Sequence, residues 1–286
     1  MKYRRARRIG HSRGGEWGFR DALRAVARDG EGRWLLVGDE QVVVFTSDGE
    51  PVRRWATERP GWAAAVDAEG RIWVGEEGRI EVFSPRGRLE DGWQDELFAR
   101  VTALAVTGDE IFAADVGSRW IHRFDRDRRL LNHLGDRHRK GGFHLPNGVL
   151  DFALDVDGTV VVANPGMHRV ERYAPDGDLL DRFGAFGQHD PAAFPGCCNP
   201  TNLALGPASE VVVSEKAGPR VKVYDRAGGL LAIVAAGADF DPDCKNMDLA
   251  VDASGSIGVV DTVGRQVVVF DRVAGPEPAA ARGAPG

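Results

Sequence analysis

The chain has 286 residues, 43% of them hydrophobic, and a formal net charge of −6. That is enough apolar material for a large buried core, and no run of about 18 apolar residues suggests a membrane-spanning helix. The acidic balance argues against a broad nucleic-acid surface, so no nucleic-acid partner is expected.

The first ten residues, MKYRRARRIG, carry charge with no apolar stretch after it, unlike a signal peptide. As given, the chain is expected in the cytoplasm, or exported if an export segment precedes it. From there one pattern recurs six times: an apolar strand, a Gly, Asp or Ser turn, a second apolar strand ending in an acid or amide, and a third ending in an aromatic ring. The turns pivot at Gly32, Gly70, Asp109, Gly158, Ser209 and Gly255. Second strands end at Asp39, Glu76, Asp115, Asn164, Glu215 and Asp261, third strands at Phe45, Phe83, Phe124, Tyr173, Tyr224 and Phe270. A repeat of roughly 40 residues built from short strands marks the blade of a β-propeller. The expected fold is therefore all-β, a six-bladed β-propeller of four antiparallel strands per blade.

Fourth strands read as PVRRWA, LLNHLG, LLDRFG and LLAIVAA in repeats one, three, four and five. The sixth repeat has none, because Val273 leads into an Ala/Pro/Gly tail expected to be disordered. Arg7-Arg8-Ile9-Gly10 echoes the fourth-strand endings, so residues near Tyr3 to Ile9 are predicted to complete blade six and remove the open edge. Residues 1–273 then form one propeller domain and 274–286 the tail, and a monomer is expected. Of two basic runs, Arg4–Arg8 reads as a solvated outer strand, and Arg123–Lys140 as an outer strand and loop with a partner site as the sharper alternative.

Loops approaching the first strand and loops joining the second to the third share one face, the top. Turns on the other face are ordinary Asp-Gly connections such as DVDGT and APDGD, chosen for positive φ. The unusual chemistry sits on top, where propeller-like scaffolds carry function. Cys197-Cys198 precede blade five and Cys244 precedes blade six. Cys198 and Cys244 stand equally far before their pivots Ser209 and Gly255, and Asn147 occupies the same position in blade four, with His144 nearby. Sulfurs of Cys198 and Cys244 are therefore predicted to face a shared space near the axis. Three readings stay open: a thiophilic metal held by Cys197, Cys198, Cys244 and His144, a reactive thiol activated by Lys216 or Lys245, or buried packing and bridging. A Cys197–Cys198 bridge would span Cα atoms only ~3.8 Å apart, whereas Cys198–Cys244 is the easier pairing.

Seven residues before three pivots stand Asp151, Asn202 and Asp248, each opening an innermost strand, where the other blades have Ala25, Ala63 and Thr102. Acids and amides there need partners. They are read either as oxygen ligands for a divalent cation such as Ca²⁺ or contacts for a small polar ligand, or as ties holding their own loops. With the rim residues Asn147, Asn199, Glu215, Lys216 and Asn246 they make up the candidate ligand site. The acids ending second strands are often followed by Arg, as in Asp115/Arg119, Glu215/Arg220 and Asp261/Arg265, which suggests loop-clamping ion pairs.

The repeating G-x-hhV-x-D…R-hhhhF pattern resembles the NHL repeat over nearly the whole chain. The runs GCCNPTNLAL and SEKAGPRVKVYD resemble a bacterial NHL subgroup with a GCCNP loop and an EKG-x-x-RVKVY strand, many of whose members are exported; here Ala217 separates Lys216 from Gly218. Neighbouring families imply two activities. Peptidyl-hydroxyglycine amidating lyases hold a channel metal through histidines, for which this chain offers His144 alone. Gluconolactonase-like propellers hold a divalent cation with Glu, Asn and Asp; Asn147, Asn202 and Asp248 match part of that set, while Arg20-Asp21 stands in place of the Glu. The expectation is a propeller binding a small molecule or protein at the top mouth of blades four to six, with a metal-dependent hydrolase or lyase as the alternative.

Overall fold

A computed structural model describes residues 1–10, 15–135, 141–216 and 218–273. Part of the second basic run, residues 136–140, and the tail 274–286 lie outside the described residues. Blade one comprises β2 (Leu23–Arg28), β3 (Trp34–Gly38), β4 (Gln41–Phe45) and β5 (Pro51–Ala56), after the opening strand β1 (Lys2–Ile9). Blade two is β6 (Ala63–Val66), β7 (Ile72–Gly75), β8 (Arg79–Phe83) and β9 (Leu89–Gln94). Blade three is β10 (Val101–Val106), β11 (Glu110–Asp115), β12 (Trp120–Asp125) and β13 (Leu130–Leu134). Blade four is β14 (Asp151–Leu154), β15 (Val160–Asn164), β16 (Arg169–Tyr173) and β17 (Leu179–Phe183). Blade five is β18 (Asn202–Leu205), β19 (Val211–Glu215), β20 (Arg220–Tyr224) and β21 (Leu230–Ala236). Blade six gathers β22 (Leu249–Val251), β23 (Ile257–Asp261) and β24 (Gln266–Val273), with β1 as its fourth strand. All pairings are antiparallel, as the repeats predict.

Closure runs as anticipated: β1 pairs with β24 from Lys2↔Val273 to Ile9↔Val267, with one register shift between Arg5 and Arg7. Ile9 is fully buried among Trp34, Leu36, Val267 and Val269, so the closing strand also supplies core between blades six and one. Second strands are buried along their whole length because neighbouring blades cover both faces, whereas outer strands such as β5 alternate. Blade two also has an outer strand that no apolar pattern announced. In LEDGWQ only Trp93 is buried, packing edge-on against Phe98 and Phe124.

Turn chemistry follows the residue types. Gly32, Gly70, Gly158, Ser209 and Gly255 all take positive φ. Asp29 and Asp67 each accept two backbone N–H groups across their turns. One glycine is needed for close approach: a Cβ on Gly258 would lie 2.2 Å from the Trp34 ring of the adjoining blade.

Of the expected acid–arginine clamps, that of blade five forms, with Arg220 Nε 2.9 Å from Glu215 Oε2, and in blade two Arg79 Nε lies 3.7 Å from Glu76 Oε2. Elsewhere the carboxylate holds backbone amides. Asp39 accepts from Arg20, Asp21 and Ala22, and Asp115 from Ala99, Arg100 and Ser118. Arg119 and Arg265 instead occupy left-handed turn positions, and their N–H groups close the turns on the carbonyls of Asp115 and Asp261. A fixed carboxylate accepting several N–H groups orients the loop without ordering a long side chain. No helix among the described residues is long and apolar enough to cross a membrane.

Truncating Ile9 to Ala should destabilise the protein by about 2–5 kcal/mol through the cavity it leaves, while Arg4→Ala, on the exposed face of β1, should leave stability nearly unchanged. Chemical denaturation of both variants checks this; equal, small effects would mean that β1 does not close the ring in solution.

Candidate functional site at the axial mouth

The six innermost strands start around one axis, and what stands at their first positions decides the site. Thr102 Oγ1 donates to the Leu150 carbonyl at 2.8 Å and accepts from the Leu150 N–H at 3.2 Å. Asp151 accepts from its neighbour Phe152 and, at 2.9 Å, from Leu203 of blade five. Asp248 accepts from Val26 of blade one at 2.8 Å. These side chains therefore tie one blade to the next, rather than holding their own approach loops as the plainer sequence reading expected. Blade five breaks the series. Asn202 turns its amide toward Asp151, hydrogen-bonding it, and leaves its Oδ1 buried without a partner.

Asp151 and Asp248 are the strained members electrostatically. Burial pushes the Asp151 carboxyl well above the usual range, the neighbouring Asp248 pushes it further, and N–H donors only partly oppose them. Asp248 opens partly onto a cavity but lies deep in the ring, and poor hydration raises it to about 7 despite the N–H groups of Val26 and Leu249.

Above this constriction lies a cavity of about 160 Å³ lined by residues of all six blades. Arg24, Trp62, Asn202, Lys245, Asn246 and Asp248 supply its chemistry. Below it a wider space of about 460 Å³ follows the inner strands, and Thr102 and Asp248 border both. Two guanidinium groups lie over Trp62, Arg24 at 4.4 Å and Arg100 at 4.2 Å from its ring centroid. Among the described residues, Arg24 Nη1 is buried and without a partner, as is Asn246 Oδ1. Three buried polar atoms without partners, from blades one, five and six, thus belong to residues lining one cavity. Natural interiors rarely leave such groups unmet without reason.

The other sequence candidates divide. Asn147 donates to the Cys198 carbonyl at 2.7 Å, and Asn246 donates to the Asn147 carbonyl at 3.3 Å, so a hydrogen-bonded link runs from the cysteine loop to the cavity wall. Asn199 is fully buried and clasps its own loop: it donates to the Pro195 and Lys216 carbonyls and accepts from the Lys216 N–H. Glu215 does not face the mouth; it is buried against Lys222, 2.7 Å away, and Lys222 also donates to the Ala193 carbonyl. Burial, and secondarily Lys245, lower the Lys216 ammonium.

The cysteines depart from expectation. Cys197 and Cys198 are joined to each other, so the cross-blade Cys198–Cys244 pairing is corrected. Cys244 points away from any shared space: its thiol is fully buried and donates to Asp261 Oδ1 at 3.3 Å, and burial raises it. His144 is exposed, its ring lying against Gly166. Among the described residues no three His, Cys, Asp or Glu side chains gather as metal ligands. Asn147 does not line the cavity that Asn202 and Asp248 share.

Arg24 and Trp62 escaped the sequence reading, although each immediately precedes one of the small residues, Ala25 and Ala63, that leave the axis open. Large side chains just ahead of those alanines were the available signal.

No protein-family model and no curated protein sequence matches the chain. Solved structures do. A structural-genomics protein of unknown function from Bacteroides thetaiotaomicron aligns with TM-score 0.70 at 15% identity, covering 92% of this chain and 73% of that one. The WD40 β-propeller domain of Doa1 aligns with TM-score 0.61 at 16% identity over 91% and 80% of the two chains. A streptogramin B lyase aligns with TM-score 0.57 at 12% identity over 87% and 78%. At these identities the likeness is one of fold, a β-propeller.

In native protein no thiol should react with an alkylating reagent. One should react after denaturation, and three once a reductant is added. Mass spectrometry of the alkylated chain reads this directly; three thiols reacting without reductant would remove the Cys197–Cys198 bridge.

Proposed function

We propose that the chain is an NHL-type propeller whose axial mouth binds a small polar molecule. The carrying observation is the convergence of Arg24, Asn202 and Asn246, each with a buried polar atom left unpaired, on one cavity. Each unmet group costs roughly 1–3 kcal/mol, which a ligand offering the complementary donor or acceptor would recover. The volume favours a small molecule over a protein segment, since a cavity of about 150 Å³ admits a molecule the size of benzene. A panel of polar fragments of up to about ten heavy atoms, screened by ligand-observed NMR, should give binders that Asn202→Leu weakens at least about tenfold. Fragments that bind the variant equally well would exclude the axial mouth as the site.

A second reading, a lyase or hydrolase at the same mouth, is favoured by one observation: Asp248 borders the cavity with its carboxyl raised to about 7, where an acid–base group serves best. The sign of its effect on stability follows. A carboxyl raised in the folded state contributes most below its ordinary range near 4, and that contribution is lost as pH rises through about 7. Asp248→Asn should therefore flatten the stability decline between pH 5 and pH 8 in denaturant titrations, and should abolish any turnover at this mouth. A decline unchanged by the substitution would remove Asp248 as a proton carrier.

A further inference from the structure

The mouth has a definite electrostatic and hydrogen-bonding polarity, and this deepens the binding reading on which it rests. Cationic donors approach from two sides. Arg24 of blade one has a buried Nη1 with no partner among the described residues, and Lys245 lines the wall on the loop before blade six. Burial, and secondarily the charge of Lys245, disfavour the Lys216 cation, which places a third amine near Lys245. Stacking on Trp62 positions the Arg24 guanidinium, and Arg100 packs over the same ring system.

The acids at the site do not cancel this charge in full. Asp151 and Asp248 both lie deep in the channel, and burial, joined at Asp151 by the charge of Asp248, raises both carboxyls and so disfavours their ionised forms. Other carboxylates near Arg24 are engaged elsewhere. Asp39 is spent on three backbone amides, and Glu77 pairs with Arg100 at 2.9 Å. Asp21, also near Arg24, is exposed. Beside the Asp248 carboxyl, the residues of the cavity wall bring two neutral amide oxygens without partners among the described residues, Asn202 Oδ1 and Asn246 Oδ1. Neutral acceptors beside lysines suit hydroxyl donors, whereas an ammonium group would meet like charge.

We infer that the axial mouth binds a short hydroxycarboxylate, its carboxylate met by Arg24 and Lys245 and its hydroxyl groups by the side-chain oxygens of Asn202 and Asn246. An Arg guanidinium matches a carboxylate in geometry as well as charge. The cavity of about 160 Å³ admits a molecule of the size of glycerate and excludes large ring systems.

Isothermal titration of the full chain with glycerate, lactate, propionate and glycerol separates the requirements. Glycerate and lactate should bind; propionate, lacking the hydroxyl donor, should bind at least about tenfold more weakly, and glycerol, lacking the charge, should give no measurable heat. Arg24→Met should abolish glycerate binding while Arg24→Lys retains part of it. Lys245→Glu, on an exposed loop position where folding is not at stake, should weaken binding at least about tenfold. Glycerol binding as tightly as glycerate, with that binding lost in Asn202→Leu, would overturn the charged-ligand inference and leave the polar binding mouth standing. Tighter binding of an amino-carboxylate such as serine than of glycerate would overturn the preference for hydroxyl donors. Glycerate binding unchanged in both Arg24→Met and Lys245→Glu would place the anion elsewhere and overturn it too. Absence of any binding, with the polar fragments silent as well, would remove both readings.

Discussion

Six strands that begin around a single axis must share a space that only a few side chains can occupy, and the residues at those first positions govern everything else at the mouth. Ala25 and Ala63 concede the space. Thr102, Asp151 and Asp248 use it to bind the neighbouring blade through backbone groups. Two carboxylates serving as mechanical ties in one narrow channel then repel each other and are starved of water, and their raised pKa values follow. The same placement that fastens the ring thus produces its most perturbed acids. Asn202 is the exception that opens the system. Had it continued the series with a bond to blade six, its oxygen would be satisfied and the cavity above would have one acceptor fewer.

How far the sequence could be read depended on whether a property belongs to the repeat or to a deviation from it. Blade number, strand order and closure by β1 are consequences of periodicity, and each was legible because apolar alternation and turn residues recur. β9 was hidden because an outer strand with one face to solvent can be almost wholly polar, and LEDGWQ carries only Trp93 inward. Equal offsets put Cys198 and Cys244 at matching places in the repeat pattern, but offsets say nothing about where a side chain turns. Asp261, at the end of β23, draws the Cys244 thiol inward, and Cys198 finds its partner at the adjacent residue. Pairing of acids with the arginines that follow them failed for a similar reason, since backbone amides lay closer to Asp39 and Asp115 than any guanidinium. Arg24 and Trp62 were missed because a search for acids and amides overlooks positions whose significance comes from small neighbours.

The loop bearing Cys197 and Cys198 belongs to the mouth without lining its cavity. Its connection runs through amides: the Cys198 carbonyl receives Asn147, and the Asn147 carbonyl receives Asn246, which lines the wall. Each of these asparagines keeps a buried, unpaired Oδ1, so the link is committed on its donor side and open on its acceptor side. Asn199 differs in having both ends of its amide engaged with its own loop. Residues of one chemical type within a single sector therefore divide into a clasp, a connector and contacts, and only their unpaired atoms separate these roles.

Glu215 shows the same discrimination from the opposite direction. By sequence it is a carboxylate at the top of a blade beside a lysine, and it looks like a site residue. In the fold it is wholly enclosed with Lys222, whose ammonium also reaches the Ala193 carbonyl. A buried ion pair gains little net stability over apolar packing but costs several kcal/mol to break on one side, so its value lies in fixing the Ala193 segment, which leads directly into the cysteine loop. Charge enclosed in this way cannot meet a ligand. Among the described residues of this sector, the cations free to do so are those whose partners are missing or only stacked, which selects Arg24 and Lys245 over the paired arginines of the blade edges.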